Sequence, residues 1–295
     1  MLLLLLLFPL LARPGAAAAN VAPPGSHDRP RVALVLSGGG ARGLAQIGVL
    51  RALEEEGIPI DGIAATSMGA VIGGLYAAGI TADSLTRLAA RGEFFDTPGD
   101  WEDLTAFQKW MVPPRTAGLY FAGWEYRLPR SLIGDYGVNW LLLEHAIPAG
   151  LSARGDFDRL PIPFRTQALD LYSGEVITLR GGDLARAIRS SMSIPVAFPP
   201  IPTHAPRRLY IDPGTINNLP IHLARELGCD RIIAVNCIGP WEDRIVGEAP
   251  PLVAGALLRI LSQRVDSLAI GGWDVWIQPD LGRTGMLDFD RNLEL

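Results

Sequence analysis

The sequence predicts an α/β fold with a parallel sheet. Between Arg31 and Ala78, apolar runs of strand length alternate with helix-length segments, and each run ends in a turn built on glycine or serine. Of the 295 residues, 48% are hydrophobic, and 33 glycines and 24 prolines supply turns. That composition allows a substantial core and excludes a mainly disordered or coiled-coil chain. The net charge of −5 offers no basic footprint for nucleic acid.

Residues 1–19 stand apart from this pattern. Leu2 to Leu7 is an unbroken leucine run continued by Phe8-Pro9-Leu10-Leu11. It is shorter than the about 20 residues a membrane-spanning helix needs. Ala16 to Ala19 then supply small residues for cleavage before Asn20. The segment is expected to be a signal peptide and the protein to be exported, whether periplasmic, outer-membrane associated or secreted. No Lys or Arg precedes the leucines, so an uncleaved anchor is the competing reading. Residues 20–30 read as a linker.

The elements follow in order. Arg31 to Leu36 is an apolar strand feeding the turn Ser37-Gly38-Gly39-Gly40. Leu44 to Glu56 is a helix with Leu44, Ile47 and Leu50 on its inner face, capped by Gly57. Asp61 to Thr66 is a second strand, and Met68 to Ala78 a helix of mostly small residues. Residues 92–150 break the rhythm and hold four of the seven tryptophans. Strands are expected at 164–169 and 176–179, then a helix at 183–191 and a loop through Pro195, Pro199, Pro200 and Pro202. Arg208 to Ile211 is a strand leading into Asp212, Ile221 to Leu227 a helix, and Arg231 to Asn236 a strand. A longer helix over 252–270 precedes a last strand at 275–277. Cys229 and Cys237 flank the strand at 231–236; at about 3.3 Å per residue they lie roughly 26 Å apart. A disulfide needs Cα atoms within about 7 Å, so both are expected to be free thiols.

Two glycine turns carry the chemistry. Gly38-x-Gly40-x-x-Gly43 follows a strand and opens a helix, which satisfies the dinucleotide-binding fingerprint, with Glu56 or Asp61 near the place of a ribose-binding acid. The second turn argues against it, because Asp61 precedes its strand and Thr66-Ser67-Met68-Gly69 occupies the far end. A serine between an apolar strand and a small-residue helix, in the pattern x-x-Ser-x-Gly, is a nucleophile elbow. Such a turn exposes the hydroxyl where helix N–H groups favour developing negative charge. The bland reading of Ser67 is a helix cap, and that of Asp212 an Asx-turn residue.

Taken together, Ser37-Gly38-Gly39-Gly40-Ala41-Arg42-Gly43, Ala65-Thr66-Ser67-Met68-Gly69-Ala70, Arg189 to Pro195, and Asp212-Pro213-Gly214 with Asn217-Asn218-Leu219-Pro220 resemble, in order, the motifs of patatin-like phospholipases, most closely exported bacterial members. The resemblance runs from about Arg31 to Asn236 and makes residues 31–295 the family domain. It implies a three-layer α/β fold with a central, mostly parallel sheet flanked by helices. It also implies lipid acyl hydrolysis of the phospholipase A, lysophospholipase or carboxylesterase type through a Ser67–Asp212 dyad and an acyl-enzyme. Gly38, Gly39, Gly40, Ala41, Arg42 and Gly43 would form the oxyanion loop, where each donor is worth about 2.7–4 kcal/mol elsewhere. Arg42 would brace that loop or meet an anionic head group. No cofactor and no metal are implied; the partners would be a phospholipid or other lipid ester and a membrane surface.

Three positions decide how well the pattern fits. Ala65 replaces the family's glycine before the elbow, at an expected cost in strain. Gly69 and Gly214 keep their places, but Pro213 stands where glycine usually follows the aspartate. Proline fixes φ near −65° and removes a donor; if positive φ is needed there, Asp212 would be misplaced. Two other readings stay open. The order Ser67, Asp212, His222 matches an α/β-hydrolase triad, and a decayed site would leave a binding or export module. The aromatic segment 92–150 is read as a lid-like insert facing lipid, or as an ordinary packed subdomain.

Overall fold

The computed structural model describes residues 29–92, 94, 120–122, 125–127, 136–195, 197–238, 250–268, 271–282 and 284. The leader at 1–19, most of the linker at 20–30 and most of the aromatic segment 92–150 lie outside the described residues.

Among the described residues eight strands form one sheet. Strand β1 (Val32–Leu36) lies at its centre, with β2 (Gly62–Ala65) parallel on one side and β9 (Arg231–Val235) parallel on the other. Beyond β9 lies β10 (Val275–Ile277), and beyond β2 lies β5 (Phe164–Asp170), both parallel to their neighbours. Past β5 the direction changes. Strands β6 (Val176–Leu179) and β8 (Arg207–Ile211) both run antiparallel to β5, and β7 (Ile201–His204) pairs with β8 at the edge. A separate two-stranded ribbon joins β3 (Tyr120–Ala122) to β4 (Glu125–Arg127).

Alternation along the strands sorts the core into two layers. Leu34, Leu36, Ile63 and Ala65 face a large apolar cluster filled by α1 (Gln46–Glu55), α2 (Met68–Ala77), α3 (Ala82–Ala90), α4 (Tyr136–Ser152) and α5 (Leu184–Ser191). Ala33, Val35, Ala64, Ile232 and Ala234 face the other way, onto α6 (Ile221–Glu226). A last helix, α7 (Pro250–Leu268), precedes β10. The result is the expected α/β arrangement, a central sheet flanked by helices.

Several local expectations change. The helix expected over 44–56 opens with a tight 3-10 turn, Gly40–Ala45, before α1 begins. The proline-rich stretch contains β7; Pro202 is tolerated there because β7 is an edge strand, where a missing N–H costs no ladder bond. Helix α3 was not among the expected elements; Thr81 caps it by accepting the Ser84 N–H at 3.3 Å, and Ala82, Leu85 and Ala89 form its buried face. The last part of the 92–150 segment is α4, and its Val138, Leu141, Leu142 and Ala146 are buried in the main cluster. Cys229 and Cys237 are free thiols; burial pushes them up to about 11 and about 12.

Candidate active site

The elbow is built from backbone strain held on every side. Ser67 has φ 56° and ψ −124°, a region that side-chain-bearing residues avoid. The preceding strand ends normally, with the Thr66 N–H on the Leu36 carbonyl at 3.1 Å. The Ser67 carbonyl accepts from the N–H groups of Ala70 (2.9 Å) and Val71 (3.2 Å), which starts α2 at once. The Ser67 N–H donates to Ser191 Oγ at 3.0 Å. Gly69 is required by space, since a Cβ there would sit 2.6 Å from the carbonyl oxygens of both Leu36 and Ser37.

Ala65 is not strained. Its backbone continues the β2 ladder, and its carbonyl accepts from Thr166 Oγ1 at 2.9 Å. Its methyl faces Gly73 of α2, where even an added Cβ would stand 3.5 Å away. It is Ile63 Cγ2 and Leu36 Cδ1, each 2.9 Å from such a Cβ, that require the glycine at 73, while the Ala65 methyl meets only ordinary contact. The expected cost at this position is therefore absent.

The first glycine loop wraps over Ser67. Ser37 anchors it: its N–H donates to the Val235 carbonyl at 3.0 Å, and its hydroxyl accepts the Cys237 N–H at 2.8 Å. Gln46 Nε2 holds the Ser37 carbonyl at 2.7 Å. The Gly38 N–H donates to Asn218 Oδ1 at 3.1 Å, and a Cβ on Gly38 would lie 2.9 Å from Ser67 Cβ. Gly40 takes φ 58° and opens the 3-10 turn, so the N–H groups of Gly39, Gly40 and Ala41 fall at a helix start, where no intrahelical acceptor exists. Gly43 lets the turn pass Met68, whose Cγ would be 2.4 Å from a Cβ there. Arg42 is buried and its Nε donates to the Thr284 carbonyl; it braces the loop.

The dinucleotide reading fails on this geometry. Asp61 lies at the amino end of β2, where its carboxylate pairs with Arg29 at 2.7 and 2.9 Å and accepts the Val32 N–H at 2.8 Å. It is committed to the opposite edge of the sheet from the glycine loop.

Asp212 arrives from an unexpected direction. The sequence suggested the carboxyl end of a strand in a parallel sheet, but β8 runs antiparallel to β5. It pairs only with the far end of β5, Ile211 opposite Leu169 and Tyr210 opposite Asp170. Since Ala65 pairs with Thr166 on the other side of β5, the next step along β8 comes level with the elbow. There the Ser67 side chain and the buried Asp212 carboxyl line the same cleft, and the Gly214 N–H donates to Asp212 Oδ1 at 2.8 Å. Burial raises this carboxyl to about 6, against the opposing pull of the neighbouring Ser67 side chain and the Gly214 N–H.

Pro213 does not displace it. Its carbonyl accepts the N–H groups of Ile216 (2.8 Å) and Asn217 (2.9 Å), a helical turn for which proline's fixed φ is suited. The Asp212 N–H bonds the Ser193 carbonyl at 2.9 Å, so both sides of the aspartate are fixed without a donor from residue 213. Gly214 is needed for closeness: a Cβ there would be 3.0 Å from Asp212 Oδ1.

Ser67 and Asp212 open into a small cleft that is partly open to solvent. Gly39, Gly214 and Asn218 complete its polar floor, while Ile194, Ile238 and Leu258 supply apolar wall. No histidine is among the described residues that line it. His222 sits on α6 with its Nδ1 3.3 Å from Asn217 Nδ2. Burial lowers its pKa, with Glu226 opposing. Among the described residues no group of three His, Cys, Asp or Glu side chains could hold a metal, and no helix is long and apolar enough to cross a membrane.

Sequence reasoning missed the roles of Ser191 and Asn218, although both lie in quoted motifs. It also missed Gln167, whose Nε2 bridges Thr66 Oγ1 (2.8 Å) and the Asn217 carbonyl (2.5 Å). Nothing local marks these residues, because each acts across the sheet.

Comparison with known proteins adds to the geometry. A family model described as patatin-like phospholipase matches residues 34–225. An uncharacterized NTE family protein of Mycobacterium tuberculosis is 34% identical over 226 residues, covering 77% of this chain and 53% of that protein. The patatin-like phospholipase domain-containing protein 7 of Rattus norvegicus is 32% identical over 207 residues, covering 70% of this chain and 13% of that protein. The chain thus spans about half the length of the mycobacterial relative and a small part of the mammalian one. Among solved structures, VipD from Legionella pneumophila matches with a TM-score of 0.42 at 14% identity, covering 90% of this chain and 66% of that one. Full-length ExoU from Pseudomonas aeruginosa, in complex with SpcU, matches with a TM-score of 0.39 at 17% identity, covering 81% and 52%.

Proposed function

Since the chain belongs to the patatin-like phospholipase family, we propose that it hydrolyses carboxylic ester bonds of lipids, with Ser67 as nucleophile and Asp212 as the only base. The meeting of the Ser67 side chain and the buried Asp212 carboxyl in one partly apolar cleft is the observation that carries this reading.

The steps follow from the groups present. Ser67 Oγ attacks the ester carbonyl carbon while Asp212 takes the hydroxyl proton. The carbonyl π electrons move onto oxygen, and the N–H groups of Gly39, Gly40 and Ala41 receive that negative charge. Collapse breaks the bond to the alcohol, which leaves with the proton from Asp212, and the acyl group remains on Ser67. Water then attacks the acyl-serine, gives its proton to Asp212, and collapse returns that proton to Ser67 Oγ and frees the carboxylic acid. A carboxyl near pH 6 suits both halves of the cycle, since it is ionised at neutral pH yet basic enough to hold a proton in transit.

The apolar wall of Ile194, Ile238 and Leu258 suits an acyl chain, as in a phospholipid or lysophospholipid. The leucine-rich leader supports export to the periplasm, the outer membrane or the medium, where such lipids are met at a membrane surface.

A fluorophosphonate probe tests the mechanism on purified protein. Wild type should label stoichiometrically, Ser67→Ala should not label, and Asp212→Asn should label at least a hundredfold more slowly. Wild type that stays unlabelled at neutral pH would reject the hydrolase reading.

A further inference from the structure

The segment Arg189 to Ser193 holds three buried serines, and they do different things. Ser190 Oγ donates back to the Arg186 carbonyl at 2.8 Å, and Ser193 Oγ to the Arg189 carbonyl at 2.8 Å. Each donates to the carbonyl four residues back, the usual habit of serine in a helix or just past its end. Ser191, the last residue of α5, instead accepts the N–H of Ser67 at 3.0 Å, across 124 residues of sequence.

That N–H has no other place to go. Ser67 stands between a strand and a helix in a disfavoured conformation, so neither element supplies its donor with an acceptor. It is buried, and a buried amide without a partner pulls the peptide toward another conformation. The peptide in question sets the direction of the Ser67 side chain. Helix α5 is brought close enough by α2, where Gly74 leaves room for Ile188: a Cβ on Gly74 would be 2.6 Å from Ile188 Cδ1.

We propose that Ser191 is a positioning residue of the active site: its Oγ holds the peptide of Ser67 in the strained elbow and so aims the nucleophile at Asp212 and the incoming carbonyl. The role rests on the hydrolase reading. It also removes the Ser67 N–H from the set of oxyanion donors, leaving that task to the glycine loop.

The test compares Ser191→Thr with Ser191→Val, which fill nearly the same volume and differ in the oxygen. Threonine should keep the fluorophosphonate labelling rate and kcat for a soluble short-chain ester within about fivefold of wild type. Valine should lower both by about 10- to 100-fold with KM within about twofold, the scale of a misaimed reacting group. Ser190→Ala, which removes a hydroxyl bonded only to its own helix, should stay within twofold on all counts. Amide exchange at Ser67 should speed up in the valine variant alone. Equal rates for the threonine and valine variants, both folded by circular dichroism, would overturn the role of Ser191 while leaving the hydrolase reading intact. If both variants unfold, Ser191→Ala and Ser191→Cys replace them, and labelling of Ser191→Ala within twofold of wild type overturns the proposal. An unlabelled wild type would instead reject the reading on which it rests.

Discussion

The backbone amide of Gly38 donates to Asn218 Oδ1 at 3.1 Å, and this bond ties the loop over the nucleophile to the loop behind the base. The two segments lie 180 residues apart in sequence and share no strand pairing of their own. Asn218 is buried, and its oxygen would lie 2.6 Å from a Cβ on Gly38, so only glycine allows this close approach.

Removing that acceptor should loosen the donors more than the fold. Asn218→Ala is expected to lower kcat/KM by about 10- to 100-fold, mostly in kcat, because the N–H groups after Gly38 lose their aim. Asn218→Asp keeps an oxygen for Gly38 but adds a carboxylate beside Asp212, and should move the acid limb of the pH profile upward. Steady-state kinetics over a pH series measures both effects.

Asp212 links activity and stability in opposite senses. The base must be ionised, so kcat/KM should rise tenfold per pH unit below about 6 and level off above it. The folded protein holds this proton more tightly than an unfolded chain, whose carboxyl has its ordinary value of 3.8. Stability contributed by the group is therefore full below about 3.8 and is lost as pH rises to about 6. The loss is on the order of 2–3 kcal/mol. Asp212→Asn should then be inactive yet melt at a higher temperature than wild type at pH 7.5, with the difference shrinking toward pH 4. Thermal melts at the two pH values check the sign.

How much of this was legible in the sequence depends on how local the signal is. Ser67 and Asp212 were readable because a strand, a turn and small residues lie beside each of them. The two departures, Ala65 read as a cost in strain and Pro213 as a residue that would misplace Asp212 if positive φ were needed, were judged on the same local signals alone. What settles them lies across the sheet: Ala65 keeps regular ladder contacts with Thr166, and the Pro213 carbonyl closes a turn that asks nothing of its nitrogen. The antiparallel course of β8 was hidden because a short apolar run carries no mark of direction. Ser191 and Asn218 act on backbone amides that only the folded sheet brings near.

The histidine question has a direct answer in kinetics. His222 lies beside Asn217, and the cleft's described lining contains no histidine. His222→Ala should keep kcat/KM within about threefold of wild type, whereas loss of a triad base costs at least about a thousandfold. A drop of that size would require a third catalytic group and would reject the two-residue mechanism.

Two glycines, one in α2 and one in α1, should respond to alanine with opposite signs. At Gly69 the new Cβ would sit 2.6 Å from two backbone carbonyl oxygens and 2.8 Å from the Leu36 carbonyl carbon. Backbone cannot swing aside as a side chain can, so the elbow must open; Gly69→Ala is expected to cost about 3 kcal/mol and to abolish labelling of Ser67. Gly48 lies on the exposed side of α1, with nothing within 4 Å of a Cβ. Gly48→Ala should stabilise by about 0.5–1 kcal/mol, because glycine gives up more backbone freedom in a helix than alanine does. Denaturant melts of the two variants measure the difference. Equal stabilities would mean that the contact of Gly69 with the end of β1 is not what holds the elbow in place.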